Sequence, residues 1–318
     1  MQPEQIPNRE LPPPAVSRQR IERILVVVDP TASEHPCVDK AARIAAGCGA
    51  MLELFICDVQ QDGEVSERNL REEQALALLG RLAAGLRARG LTVEYRTEWH
   101  APLEQGIGLR VLHSKADFVV KDTHRHPLVP GRGGYGLTDW TLIRQIPVPL
   151  LLVRSGAWPE HPHIAVSVDP MQPARRPETL DESMIGIGAE LANATGGTID
   201  ALHVLREPPH LPGETVAPEA RLAAHEQALA TVTRLVARCY SGGNPVGLHF
   251  VHGRVSSSVL GFVATRATQI LVMGSGAHSR WRQTGASGTA AQILESLACD
   301  LLVVRPPGYL SPLLVTDD

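Results

Sequence analysis

Short runs of strand-forming residues, β-branched and mostly apolar, recur along the chain, separated by stretches with a helical rhythm. In the first part they fall at residues 24–29, 51–57, 92–99, 117–121 and 149–154; a second set falls at 163–169, 198–205, 246–252, 268–274 and 300–305. Runs such as "ILVVV" and "LLVV" are apolar at every position instead of alternating, as in strands covered by helices on both faces. Between them, apolar residues return every three or four places. Val38, Ala41, Ala45 and Cys48 share one helical face, Leu76, Leu79, Ala83 and Leu86 a second, and Leu103, Ile107 and Val111 a third. Strand, helix, strand at this spacing predicts parallel sheets with right-handed crossovers.

The pattern occurs twice. "RILVVVDP" at 23–30 returns as "HIAVSVDP" at 163–170, which sets Asp29 and Asp169 140 residues apart. "VPLLLVRS" at 148–155 returns as "CDLLVVRP" at 299–306, with Arg154 and Arg305 151 apart. "SGAWPEHPH" at 155–163 is rich in Pro and Gly and reads as the linker. The prediction is an α/β protein of two tandem open parallel five-stranded sheets flanked by helices, spanning 22–155 and 163–312. A Pro-rich leader, 1–21, would be ordered only where it touches a domain. "VPLLLV" and "DLLVV" would aggregate as exposed edges, so the halves are expected to pack through their last strands as an internal pseudo-dimer.

Composition narrows the function classes. With 318 residues, 43% of them hydrophobic, the chain can build two real cores. Aromatics at 4% provide no stacking platform, and a net charge of -4 opposes general polyanion binding, so no nucleic-acid partner is expected. No apolar run is long enough to span a membrane, and the first twenty residues lack an apolar signal segment. A cytoplasmic protein without membrane insertion is the expectation. The 5 cysteines show no C-x-x-C spacing and read as buried free thiols.

Open parallel sheets bind ligands at the carboxyl ends of their strands, where the winding reverses. Asp29 and Asp169, and the loops leaving the fourth strand of each half, are therefore the places to look. No Walker loop, H-E-x-x-H or G-x-S-x-G is present. Nothing points to covalent catalysis; the expectation is a regulatory or binding protein, with weak ATP hydrolysis left open. What remains is anion binding. Gly253 and Arg254 precede the third helix of the second half, Gly274 opens its fourth-strand loop, and Ser287, Gly288 and Thr289 stand at the start of its last helix. Free amides and the helix dipole favour phosphate at such a place; the plainer alternative is that Ser287 or Thr289 only caps the helix. Arg280 and Arg282 add positive charge to this loop.

Together these features resemble the universal stress protein family: an aspartate closing the first strand, "GRV" before the third helix, a glycine after the fourth strand and a closing "CDLLVVRP". Two copies resemble its tandem members, and "DLLVVRPPGY", "TDW" and "LIRQIPVPLLLVR" resemble its E group. The resemblance covers nearly all of 22–312. It implies an adenine nucleotide alpha hydrolase-like fold and a stress-response regulator that holds ATP or AMP with a G-x2-G-x9-G-[ST] loop. On that pattern Gly274 fits, Ala277 and Ser287 replace the second and third glycines, and Gly288 takes the hydroxyl position with Thr289 next. Asp169 and Val204 fall to the adenosine end.

The first half departs further from the family pattern. Asp29 persists, but Lys121 stands where the strand glycine is expected, His100 replaces the helix glycine, and the fourth-strand loop is too long. "GRGGYG" there reads as a flexible lid or packing loop. His100, His124 and His126 converge on this degenerate site, and with Asp29 or Asp122 they would make a zinc set; polar loop histidines are the plainer reading, and no metal is expected. The expected partner is thus an adenine nucleotide or another small anionic ligand in the second half, with a homodimer of the tandem chain left open. The alternative is a binding protein for an amphipathic or lipid-precursor molecule, with Arg280, Arg282 and Lys121 as anion holders.

Overall fold

The computed structural model describes residues 20–59, 65–123, 135–171, 178–205, 217–239, 245–275 and 289–312. Its first half runs β1 (Arg23–Val27), α1 (Pro36–Cys48), β2 (Met51–Asp58), α2 (Val65–Ala88), β3 (Val93–Trp99), α3 (Leu103–Ser114), β4 (Phe118–Asp122), α4 (Leu137–Gln145) and β5 (Leu150–Val153). The second runs β6 (His163–Val168), α5 (Glu178–Thr195), β7 (Thr198–Leu205), α6 (Pro218–Cys239), β8 (Val246–His252), α7 (Val255–Thr265), β9 (Ile270–Gly274), α8 (Thr289–Ser296) and β10 (Asp300–Val304).

The strands form one sheet in the order β3-β2-β1-β4-β5-β10-β9-β6-β7-β8. Neighbours within each half are parallel. The two last strands join antiparallel, with Leu151 opposite Leu302. The halves therefore do pair through their last strands, as one continuous ten-stranded sheet. The antiparallel join also turns the carboxyl ends of the two sets of strands toward opposite edges of that sheet.

Alternate residues of the strands feed two cores. Ile24, Val26, Leu54, Val166 and Val272 pack under α1, α2, α5 and α6. Leu25, Phe55, Leu152, Leu271 and Leu301 pack under α3, α4, α7 and α8. Each core crosses the midline, which is why the apolar runs do not alternate. On α2 the buried residues are Ala75, Leu79, Ala83 and Leu86, while Leu76 is turned to solvent. All five thiols are free, and Cys37, Cys57 and Cys299 are buried.

Polar contacts fasten the midline. The Lys40 ammonium of α1 lies 2.7 Å from Asp300 of β10, with both side chains buried. Asp300 also accepts from the Arg154 amide and the Trp158 indole, each at 2.7 Å. The repeated arginines act reciprocally on the last helices. Arg154 donates to Leu297 O beyond α8, and Arg305 donates to Ile143 O and Ile146 O at the end of α4. Carbonyls left over at a helix end are favourable partners for a guanidinium. α1 crosses α5 closely enough that a Cβ on Gly47 would lie 1.8 Å from Ala194 O.

Candidate functional site

In the first half, the carboxyl ends of the strands surround a cavity of about 1290 Å³. Its walls come from the loop after β1 (Asp29, Thr31), from α2 (Arg71, Leu78) and from Tyr135 and Asp139 around the start of α4; Glu295 of the second half closes one side. Asp29 sits in a tight turn, where its Oδ1 accepts from the Thr31 amide at 2.8 Å and the Thr31 hydroxyl at 2.7 Å. Arg71 Nε donates to Asp58 Oδ2 at 3.1 Å. Burial pushes the Cys57 thiol up to about 11, so it is an inert part of this wall.

The strand register corrects one alignment read from sequence. Val120 pairs with Val26 as Val272 pairs with Val166, so the counterpart of Gly274 is Asp122 and not Lys121. Asp122 is buried, and its Oδ1 accepts from the Cys37 amide in the first turn of α1 at 2.8 Å. Lys121 faces the start of α4. Its ammonium donates to Asp139 Oδ1 at 2.9 Å and to Asp122 O at 2.8 Å. The other oxygen of Asp139 accepts from the Gly136 amide, at the N-cap of α4, at 3.2 Å. The Asp139 carboxylate thus occupies the helix start with its own cation beside it, and its side chain is 3% exposed. His100 does take the place of Gly253: its amide donates to Asp58 O at 3.0 Å, as the Gly253 amide donates to Leu205 O at 3.2 Å. His124 and His126, and most of "GRGGYG", lie outside the described residues. Among the described residues no group of histidine, cysteine and acidic side chains could hold a metal.

In the second half, β9, β6, β7 and β8 lie side by side, which brings Gly274, Asp169, Val204 and Gly253 to one edge of the sheet. The winding reverses at β6. Gly253 has φ +129°, a conformation that side-chain-bearing residues rarely adopt. Arg254 follows it, exposed, at the N-cap of α7. Asp169 is half-buried and donates its amide to Asp181 Oδ1 at 3.3 Å. Val204 is buried on the α7 face. The root of the glycine loop is pinned: the Ser275 amide donates to Val304 O at 2.8 Å, and Arg305 donates to the Ser275 hydroxyl at 2.8 Å. Thr289 opens α8 exposed, and no acidic residue stands in the first turn. At the 151-residue offset that relates Arg154 to Arg305, the counterpart of Asp139 is Ala290. Ala277, Arg280, Arg282, Ser287 and Gly288 lie outside the described residues.

Sequence reasoning missed a pair of buried carboxylates at the opposite ends of the strands. Glu53 is held by Arg23 at 2.8 Å and by Arg110. Asp200 takes His163 at 2.9 Å, His249 at 3.0 Å and Arg266 at 2.9 Å on one oxygen. Burial alone would raise both carboxyls. For Glu53 the two arginines overcome it, and for Asp200 His163, Arg266 and His249 do so, leaving each below its ordinary range. The only signal in the sequence is an acid in the middle of an apolar run.

The sequence model of the universal stress protein family matches residues 20–154 and 177–305. Universal stress protein E of Escherichia coli (strain K12) is 23% identical over 312 residues, which cover 93% of this chain and 98% of that one. A solved structure of a functionally unknown protein from Pseudomonas aeruginosa PAO1 has a TM-score of 0.68 at 22% identity, over 91% of this chain and 94% of its own. That of a universal stress protein from Archaeoglobus fulgidus DSM 4304 gives 0.63 at 13%, over 89% and 98%. Structural likeness at these identities carries the fold, while the chemistry of the site rests on the residues above.

Proposed function

Because this chain belongs to the universal stress protein family, as a tandem of two such domains, we propose that it is a cytoplasmic stress-response binding protein with an adenine nucleotide, ATP or AMP, in its second half. It carries no committed catalytic chemistry on this reading. Asp169 and Val204 take the adenosine end, Gly253, Arg254 and Gly274 line the approach, and the amides at Thr289 take phosphate. Ala277, Ser287, Gly288, Arg280 and Arg282 belong to the same loop by sequence.

One observation carries this assignment. The two last helices present opposite electrostatics to their crevices. α4 has Asp139 in its first turn, already paired with Lys121, whereas α8 has no acid there. A bare helix start attracts phosphate through its free amides and positive dipole end. A carboxylate in the same place repels it.

The test is to transplant the difference. Ala290→Asp puts a carboxylate at the start of α8 where Asp139 stands in α4. ATP binding, measured by equilibrium dialysis on the full chain, should weaken by roughly tenfold or more, since a like charge at a helix start is worth about 1–2 kcal/mol in a partly buried place. Unchanged binding would remove α8 from the site.

A further inference from the structure

The chain continues past its last strand, and the residues there finish a helix of the other half. We infer that residues 305–311 form a strap by which the second half holds α4 in position, and with it one wall of the first-half cavity. This does not rest on either half holding a particular ligand.

Helix α4 is nine residues long, too short to stand on helix propensity. Its buried apolar residues are Leu142 and Ile143, while Leu137 is turned to solvent. Its start carries Leu137, Asp139 and Trp140 into the cavity wall. Its end leaves carbonyls without helical partners. Leu142 O accepts from the Ile146 amide at 2.9 Å, and the strap serves each of the next four. Arg305 donates to Ile143 O and, at 3.3 Å, to Ile146 O; the Tyr309 hydroxyl donates to Arg144 O and the Ser311 hydroxyl to Gln145 O, each at 2.6 Å. Local sequence shapes the strap. In "RPPGY", Pro307 and Gly308 stand at the centre of a turn closed by the Tyr309 amide on Pro306 O at 3.2 Å, and Gly308 has φ +74°. That turn lays the Tyr309 ring over the Arg305 guanidinium, 4.2 Å from the ring centroid. Nη1 of Arg305 also holds the Ser275 carbonyl at 3.2 Å and its hydroxyl at 2.8 Å, which anchors the strap at the root of the second half's glycine loop. After β5 the chain acts differently. Trp158, the counterpart of Tyr309 at the 151-residue offset, turns its indole to Asp300. The strapped helix is therefore α4, and α8 serves as its control.

Hydrogen exchange resolved to single amides tests this on two variants of the full chain. Tyr309→Phe with Ser311→Ala removes two donors and keeps the turn. Gly308→Val leaves every donor in place and strains the turn, at an exposed position where an added Cβ meets nothing within 4 Å. In the double variant the Ile146 amide should exchange roughly tenfold to hundredfold faster, the scale of two lost hydrogen bonds. The Trp140 amide, which donates to Gly136 O at 3.1 Å at the cavity end, should quicken with it. Gly308→Val should speed the same two amides, and in both variants the amides of α8 should keep the parent's rates. Unchanged exchange in α4 in both variants overturns the strap. Loosening that reaches Ile146 and spares Trp140 overturns its hold on the cavity wall. Equal loosening of α8 would mean that the tail stabilises the whole fold, and overturns the assignment to α4.

Discussion

Glu53 and Asp200 are each the third residue of the second strand in their half, and each is buried with cations gathered around it. Both carboxyls titrate below their ordinary range. A carboxyl depressed in the folded state stabilises the fold fully above its unfolded value, about 4, and loses that contribution as pH falls through the folded value. The urea midpoint should therefore fall as pH drops below about 4. Asp200→Asn should lower the midpoint at neutral pH and flatten the acid limb; a curve parallel to the parent's would deny Asp200 this role. Neither carboxylate was legible as a site from sequence, because the partners come from distant strands and helices: Arg110 lies 57 positions from Glu53 and Arg266 lies 66 from Asp200. The slip between Lys121 and Asp122 has a related cause. A strand shifted by one residue exchanges its faces, and only the pairing with β1 fixes which residue matches Gly274.

At the scale of elements the sequence was far more legible. The ten expected strands are present with ends within two residues of expectation, and the central ones follow from continuous β-branched runs, which have few other ways to be buried. The joining of β5 to β10 followed from two apolar edges that needed cover. The crossing of α1 over α5 was not legible, because a small residue on a helix carries no signal of what approaches it. Gly47→Ala tests that crossing. Alanine favours a helix over glycine by about 1 kcal/mol, but its Cβ would stand 1.8 Å from a backbone oxygen that cannot swing aside. The clash should win, with a net loss of about 1–3 kcal/mol in urea unfolding. A variant as stable as the parent would mean the helices separate at no cost.

The whole molecule is one sheet with two cores that both cross its midline, yet the carboxyl ends of its two sets of strands lie at opposite edges and carry different polar residues. Duplication preserved the packing, which depends on many apolar residues, while a few polar positions diverged: Asp122 against Gly274, Asp139 against Ala290, and His100 against Gly253. A single fold can therefore hold two unlike sites. Calorimetric titration of the full chain with ATP tests this asymmetry most directly. The account expects one site per chain, abolished by Asp169→Ala and kept by Asp29→Ala. Two equivalent sites, or affinity lost with Asp29→Ala and kept with Asp169→Ala, would contradict it.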